Sequence, residues 1–163
     1  MITRRDLEEI NWAVLWMVAG GFALGVALNE TGLAANLINA IPFNTWPVLA
    51  VLIGSGVICY TLSNFISNTA TAALLVPILA VVGKSMTAEL APIGGVACLL
   101  IGIAVAASVA MILPISTPPN ALAHGTGMIE QKYMAKSGLI MGIIGLVLGY
   151  CMLVLLGSVG FFG

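Results

Sequence analysis

Long apolar runs without charged side chains alternate with short polar segments along the chain. No Asp, Glu, Lys or Arg occurs from Ile10 to Leu28 or from Thr31 to Gly83. At about 1.5 Å per residue in a helix, the run from Ile10 to Leu28 reaches about 28 Å, which is enough to cross a hydrocarbon core of about 30 Å. The pattern predicts an all-α integral membrane protein whose first spanning helix covers this run.

The next apolar segments are shorter or interrupted. Leu33 to Ile41 is too short to span the membrane, so we expect an interfacial arm along its surface. Residues 46–83 are divided by a polar triplet, Ser67-Asn68-Thr69, and the part from Ala70 to Gly83 rises only about 21 Å. This length favours a re-entrant hairpin over residues 46–83, with the triplet at its buried tip. The alternative is two thin spanning helices joined by an exposed loop.

A second polar interruption lies in LPISTPPNA, Leu113 to Ala121. Proline lacks the N–H group that would continue a helix. We therefore predict one membrane helix over residues 91–128 that is intact from Pro92 to Ile112, breaks at Leu113 to Asn120 and ends in a helical stub, Ala121 to Met128.

The last spanning helix is predicted over residues 137–159. Its glycines repeat with steps of four, three and four residues, which places them on one helix face: Gly138, Gly142, Gly145 and Gly149. Small residues on one face let neighbouring backbones approach closely, so we expect this face to pack against another helix.

Composition and charge argue against a soluble domain, nucleic-acid binding and acid–base catalysis. Of the 163 residues, 61% are hydrophobic and only 7% are charged, too few charges for the surface of a soluble domain. The chain has no basic patch for nucleic acid. Neither interruption contains an ionisable side chain, which argues against a carboxylate proton relay and against an enzyme that uses acid–base chemistry.

The few basic residues predict the orientation in the membrane. Four of them fall on one side of the arrangement and one, Lys84, on the other; the four are Arg4, Arg5, Lys132 and Lys136. The positive-inside rule then predicts a multi-pass protein of the cell membrane with its N-terminus in the cytoplasm and its C-terminus outside.

Helix ends at the two interruptions suit ions of both signs. Helix N-termini near Thr69 and Pro119 carry N–H donors and a positive dipole end, which favour an anion. Carbonyl groups near Ile66 and near Pro114 to Ser116 suit a hard cation such as Na⁺. Sites for an anion and for a cation close to each other favour cation-coupled anion transport. The alternative for each Ser, Thr or Asn is a hydrogen bond between helices.

Two motifs together resemble the divalent anion/sodium symporter family, the sodium-coupled dicarboxylate, citrate and sulfate carriers of the ion transporter superfamily. They are SNTATAALLVPI, Ser67 to Ile78, and LPISTPPNALAHGTG, Leu113 to Gly127. The resemblance covers essentially the whole chain but only the C-terminal inverted repeat of the family. It implies half of an elevator-type carrier, with a scaffold helix and interfacial arm in residues 1–45 and half of the transport domain in residues 46–163.

The resemblance also implies site residues. The coupling ion Na⁺ would be held, partly through backbone carbonyls, by Ser63, Ile66, Asn68 and Ser116. A small dianion, either a dicarboxylate such as succinate or malate or else citrate, would be bound by Ser67, Asn68, Thr69, Thr117, Pro118 and Asn120.

A single inverted repeat leaves three accounts open. The chain pairs with a complementary N-terminal half, forms an antiparallel homodimer, or is a non-transporting membrane fragment or assembly subunit. An antiparallel dimer needs both orientations, which the four-to-one distribution of basic residues disfavours.

Overall fold

The computed structural model describes residues 45–162 without a gap and, before them, residues 12, 15, 16, 19, 20, 23, 26, 27, 30–33, 36 and 40. Residues 45–162 are helical and contain no strand. In order, their helices are α1 (Val48–Phe65), α2 (Asn68–Ser85), α3 (Thr87–Leu90), α4 (Gly95–Ser108), α5 (Pro118–Gly125) and α6 (Gln131–Ser158). The predicted first spanning helix and interfacial arm fall largely outside the described residues.

Helices α1 and α2 form the predicted hairpin around α4. Along α1, Leu52 lies near Gly102 of α4, and Asn64 bonds Ile112 just beyond α4, so α1 runs parallel to α4. Along α2, Gly83 packs against Val96 near the start of α4, whereas the first residues of α2 lie beside its last turn. Helix α2 therefore runs antiparallel to both α1 and α4.

The second hairpin helix is longer than predicted. Helices α1 and α2 have 18 residues each, which corresponds to about 27 Å. The expectation of a second half of only about 21 Å covered Ala70 to Gly83. The helix is longer because the Ser67 side chain caps α2, which begins at Asn68 and continues to Ser85. Since α1, α2 and α6 are each long and apolar enough to cross a membrane, helix length does not decide for the re-entrant form, which stays a prediction.

The predicted broken helix is present, but its bounds differ. Helix α4 begins at Gly95, after a bend of 69° from Thr87–Ile93, and ends at Ser108 rather than at Ile112. It ends early because the Ile112 N–H group donates to Asn64 Oδ1 at 2.8 Å instead of to the Ser108 carbonyl. The stub α5 begins three residues earlier than predicted, at Pro118, because Thr117 caps it.

The glycine face of the last helix is confirmed. Gly138 lies against the Met111 backbone, Gly142 against the Tyr60 ring, and Gly149 against Val105. Helix α6 begins at Gln131 rather than at Ser137 because the polar residues 131–136, which include good helix formers, continue the helix beyond its apolar part.

The core lies between the hairpin, α4 and α6. Helix α4 packs against α1, α2 and α6. Fully buried side chains of α1, α2 and α4 meet there, among them Leu52 of α1, Leu75 and Leu79 of α2, and Leu99 and Ile103 of α4. This packing fixes the hairpin tip beside the C-terminal end of α4.

Candidate functional site

Ser67 determines where the second hairpin helix begins. As the N-cap residue of α2, it accepts a hydrogen bond from Ala70 N through Oγ at 3.2 Å and another from Thr71 N through its carbonyl at 3.0 Å. The N–H groups of Asn68 and Thr69 have no hydrogen-bond partner among the described residues. The hairpin tip therefore presents two backbone donors at the positive end of the helix dipole.

Oxygen atoms around the tip lack partners. Ser63 Oγ, Asn68 Oδ1 and Thr71 Oγ1 are buried and make no hydrogen bond within the described part of the chain. The Ile66 carbonyl, just beyond the end of α1, receives none there either. A buried polar atom without a partner costs about 1–3 kcal/mol. Such oxygens suit a hard cation, so three predicted Na⁺ residues, Ser63, Ile66 and Asn68, fit that ion.

Several polar groups in the loop of the broken helix are bonded within the protein. Thr117 Oγ1 accepts from Asn120 N at 3.4 Å, and Asn120 Nδ2 donates to the carbonyls of Met111 at 3.0 Å and Leu113 at 3.4 Å. The Thr117 carbonyl accepts from Ala121 N at 3.1 Å.

The N-terminus of α5 differs from that of α2 as a result. Pro118 and Pro119 carry no N–H group, and the next two N–H groups are taken by Thr117. The expectation of unbonded backbone donors at this second N-terminus is therefore wrong. Only its dipole is left to favour an anion.

Asn64 joins the two interruptions. It is 4% exposed, and its Oδ1 accepts from Ile112 N at 2.8 Å while its carbonyl accepts from Ser116 Oγ at 3.3 Å. Its Nδ2 donates to the Tyr60 carbonyl at 2.8 Å. Asn64 was not among the predicted site residues. The available signal was that Ser63-Asn64 repeats the Ser-Asn pair of the tip one helical turn earlier.

The predicted site residues are brought together in part. Ser63, Ile66 and Asn68 lie together at the tip, and Ser116 is held against the end of α1 by Asn64. No hydrogen bond within residues 45–162 links the tip residues Asn68 and Thr69 to the loop residues, namely Thr117, Pro118 and Asn120.

An open groove of about 530 Å³ extends from the tip between α2 and α4. Asn68 and Thr69 form its polar end. The rest is lined mainly by small apolar side chains: Ala72, Ala73, Val76, Ala104, Ala107 and Ser108. The groove is therefore mostly apolar, and its polar groups are confined to the end at the hairpin tip.

Comparison with known proteins gives a consistent family. Residues 6–160 match the family described as the sodium:sulfate symporter transmembrane region. The chain is 38% identical to an uncharacterized transporter of Haemophilus influenzae over 139 residues, 84% of this chain and 29% of that protein.

Two further relatives have names that state a substrate. The chain is 34% identical to the Na(+)/dicarboxylate cotransporter 3 of Rattus norvegicus over 151 residues, 89% of this chain and 23% of the cotransporter. It is also 34% identical to the sodium-dependent dicarboxylate transporter SdcS of Staphylococcus saprophyticus over 142 residues, 86% of this chain and 26% of that transporter. The chain therefore spans about a quarter of the length of these relatives.

Proposed function

The chain belongs to the sodium:sulfate symporter family of multi-pass membrane proteins, and from this premise we propose that it takes part in sodium-coupled transport of a small divalent anion, a dicarboxylate or citrate. The names of the relatives support the choice of Na⁺ and of a dicarboxylate. The groove beside the tip is large enough for such an anion, and its polar end lies at the tip.

The proposal rests on one observation: at the hairpin tip, where α2 begins, backbone N–H groups without partners lie close to oxygen atoms without partners. In the proposal, Na⁺ is held by Ser63 Oγ and Asn68 Oδ1 together with the carbonyls of Ile66 and Ser116. The anion receives hydrogen bonds from the N–H groups of Asn68 and Thr69. Side chains of the tip and the loop complete the anion site: Ser67, Thr69, Thr117, Pro118 and Asn120.

In this proposal, the binding of Na⁺ and of the dianion is coupled because the two opposite charges lie next to each other at the tip. The tip supplies no formal charge of its own, so a dianion there is stabilised by the helix dipole and by the neighbouring Na⁺. Because binding linkage is reciprocal, an anion that binds more tightly with Na⁺ present also raises the affinity for Na⁺ by the same factor. Neutral side chains at the tip thus favour joint binding of ion and substrate.

The proposal includes a partner and a motion. A complementary N-terminal half supplies the other part of the substrate site, and residues 46–163 move as half of a transport domain against the scaffold in an elevator mechanism. The N-terminus lies in the cytoplasm and the C-terminus outside. An antiparallel pair of this chain is the second arrangement, which the distribution of basic residues disfavours.

Thermal unfolding of the purified chain in detergent tests the proposal. With succinate, we expect a higher melting temperature in sodium than in potassium buffer, because a ligand that binds only the folded state stabilises it. Asn68→Ala removes the response, and Thr69→Ala weakens it. Thr61→Ala is the control, since its exposed hydroxyl bonds the Val57 carbonyl of its own helix.

Two results of this measurement would contradict the proposal. If Asn68→Ala and Thr69→Ala respond like the wild type, the site is assigned to the wrong residues. If the wild type alone responds to no sodium and anion combination, including citrate and sulfate, this chain builds only part of a site, and the measurement is repeated with the complementary N-terminal half. If the pair does not respond either, the chain is an assembly subunit or fragment without transport activity.

A further inference from the structure

Most serine and threonine hydroxyls on the described helices bond a backbone carbonyl of their own helix. A serine or threonine hydroxyl inside a helix commonly bonds a carbonyl three or four residues earlier. The structure has this bond at Ser55, Thr61, Ser85, Thr87, Ser108, Thr126, Ser137 and Ser158. Among the fully buried serine and threonine hydroxyls, those of Ser63 and Thr71 do not form it and have no other partner in the described residues. The hydroxyls of Tyr60 and Tyr150, which lie against Gly142 and Gly56, also lack a partner there.

The two exceptions occupy matching positions around the hairpin tip. Ser63 lies four residues before Ser67, and Thr71 lies four residues after it, about one helical turn on either side. Because α1 and α2 run antiparallel, residues equally distant from the tip lie at the same level of the hairpin. Asn68, whose Oδ1 also lacks a partner, lies one turn before Thr71 on the same face of α2.

Packing alone does not account for the threonine at position 71. Its side chain is 0% exposed, and a valine has the same shape without the unpaired oxygen. The Cys59 sulfur lies within hydrogen-bonding reach of the Ser63 hydroxyl, and the Cys59 thiol itself donates to the Ile103 carbonyl at 3.4 Å. A Ser63 hydroxyl that donates to this sulfur still leaves its oxygen lone pairs open to a cation. Two hydroxyl oxygens and one amide oxygen without partners favour an oxygen-coordinated cation.

We infer that Thr71 Oγ1 is a further ligand of the Na⁺ ion at the hairpin tip, together with Ser63 Oγ and Asn68 Oδ1. The inference rests on the proposed function, because it extends the site assigned there. Its consequence is that all three side-chain ligands come from the hairpin. Na⁺ then holds the ends of α1 and α2 together, and the loop contributes at most a backbone carbonyl.

A sodium titration of thermal stability tests the role of Thr71. The full chain is purified in detergent, and its melting temperature is measured against NaCl concentration, with choline chloride keeping the ionic strength constant. We expect Thr71→Val to raise the half-saturating sodium concentration about tenfold or more, because a ligand to a charged group is lost. Without sodium, Thr71→Val should melt at the wild-type temperature or above it, since an unpaired hydroxyl is removed.

Two further variants show whether the effect comes from the hydroxyl group of Thr71 itself. Thr71→Ser restores the hydroxyl and should return the half-saturating concentration close to that of the wild type. Thr61→Val removes a hydroxyl that bonds within α1, and should leave the sodium response unchanged.

Each remaining outcome has a distinct meaning. A wild-type sodium response that Thr71→Val leaves unchanged overturns the inference and leaves the proposed function in place. A weaker response that Thr71→Ser does not restore also overturns it, because the hydroxyl is then not the group responsible. No sodium response in the wild type overturns both the inference and the proposed cation site.

Discussion

The hairpin tip and the loop of the broken helix contain the same residue types but differ in hydrogen bonding. At the tip, oxygens of Ser63, Asn68 and Thr71 have no partner, and two backbone N–H groups are unbonded. In the loop, Ser116 bonds the hairpin, and Thr117 and Asn120 bond the loop backbone. The difference teaches that two polar interruptions of similar composition can use their side chains differently: the tip leaves oxygens without partners, whereas the loop uses several of its polar groups to fix the backbone.

Asn64 connects the two regions. It uses its carbonyl and its side chain to hold the loop against the end of α1. The tip can keep unpaired groups for ligands because its neighbour in the chain fixes the surrounding backbone. We therefore expect changes in the loop and in α6 to lower stability, and changes at the tip to alter ion binding.

The largest stability effect is expected for Gly138→Ala. The added methyl group would overlap the Met111 carbonyl, a backbone group beside the loop that cannot rotate away. We expect a loss of about 3 kcal/mol in the free energy of unfolding, the upper part of the usual range for overpacking. Unfolding in mixed SDS–detergent micelles measures it.

Gly142→Ala is the matched control for this change. Its methyl group would meet the Tyr60 ring, which is a side chain and can shift. A smaller loss is therefore expected at Gly142. Equal losses at both positions would contradict the special role of the backbone contact beside the loop.

A smaller loss is expected for Asn64→Leu, about 1–3 kcal/mol, because the partly buried Ile112 N–H group loses its acceptor. One of the two bonds that hold the broken helix against the end of α1 is lost while the Ser116 bond to the Asn64 carbonyl is kept, so the half-saturating sodium concentration should rise as well. Thr61→Leu, at an exposed position on the same helix, is the control. Wild-type stability of Asn64→Leu, measured by the same unfolding method, would show that the two regions are not joined through this residue.

The smallest of these effects is expected for Thr117→Ala. It removes the side-chain cap of α5, which corresponds to about 1 kcal/mol. In the absence of anion, the half-saturating sodium concentration should stay at the wild-type value, because Thr117 supports the loop and does not hold the ion. Melting temperature over a sodium titration measures both quantities.

Sequence patterns predicted the elements better than their ends. Charge-free runs, prolines and the glycine stripe predicted the hairpin, the broken helix and the packing face of α6, because each follows from length or periodicity within one segment. The end of α4 at Ser108 depends on a bond to Asn64, which is distant in the chain. Local pattern carries no signal for such a contact.

Part of the candidate site could be proposed before the structure. The family resemblance implied Ser63, Ile66, Asn68 and Ser116 as ion ligands, but the roles of Asn64 and Thr71 depend on which hydrogen bonds form in the folded chain. By contrast, the absence of N–H donors at the start of α5 was visible in the sequence, since two prolines occupy its first two positions.

A sodium titration of Asn68→Ala beside Thr117→Ala, without anion, tests the central claim most directly. The claim is that the tip binds the ion and the loop supports it. It predicts that Asn68→Ala loses the sodium-dependent rise in melting temperature, while Thr117→Ala melts lower at every concentration but keeps the wild-type half-saturating value. A retained response in Asn68→Ala together with a lost response in Thr117→Ala would contradict the claim.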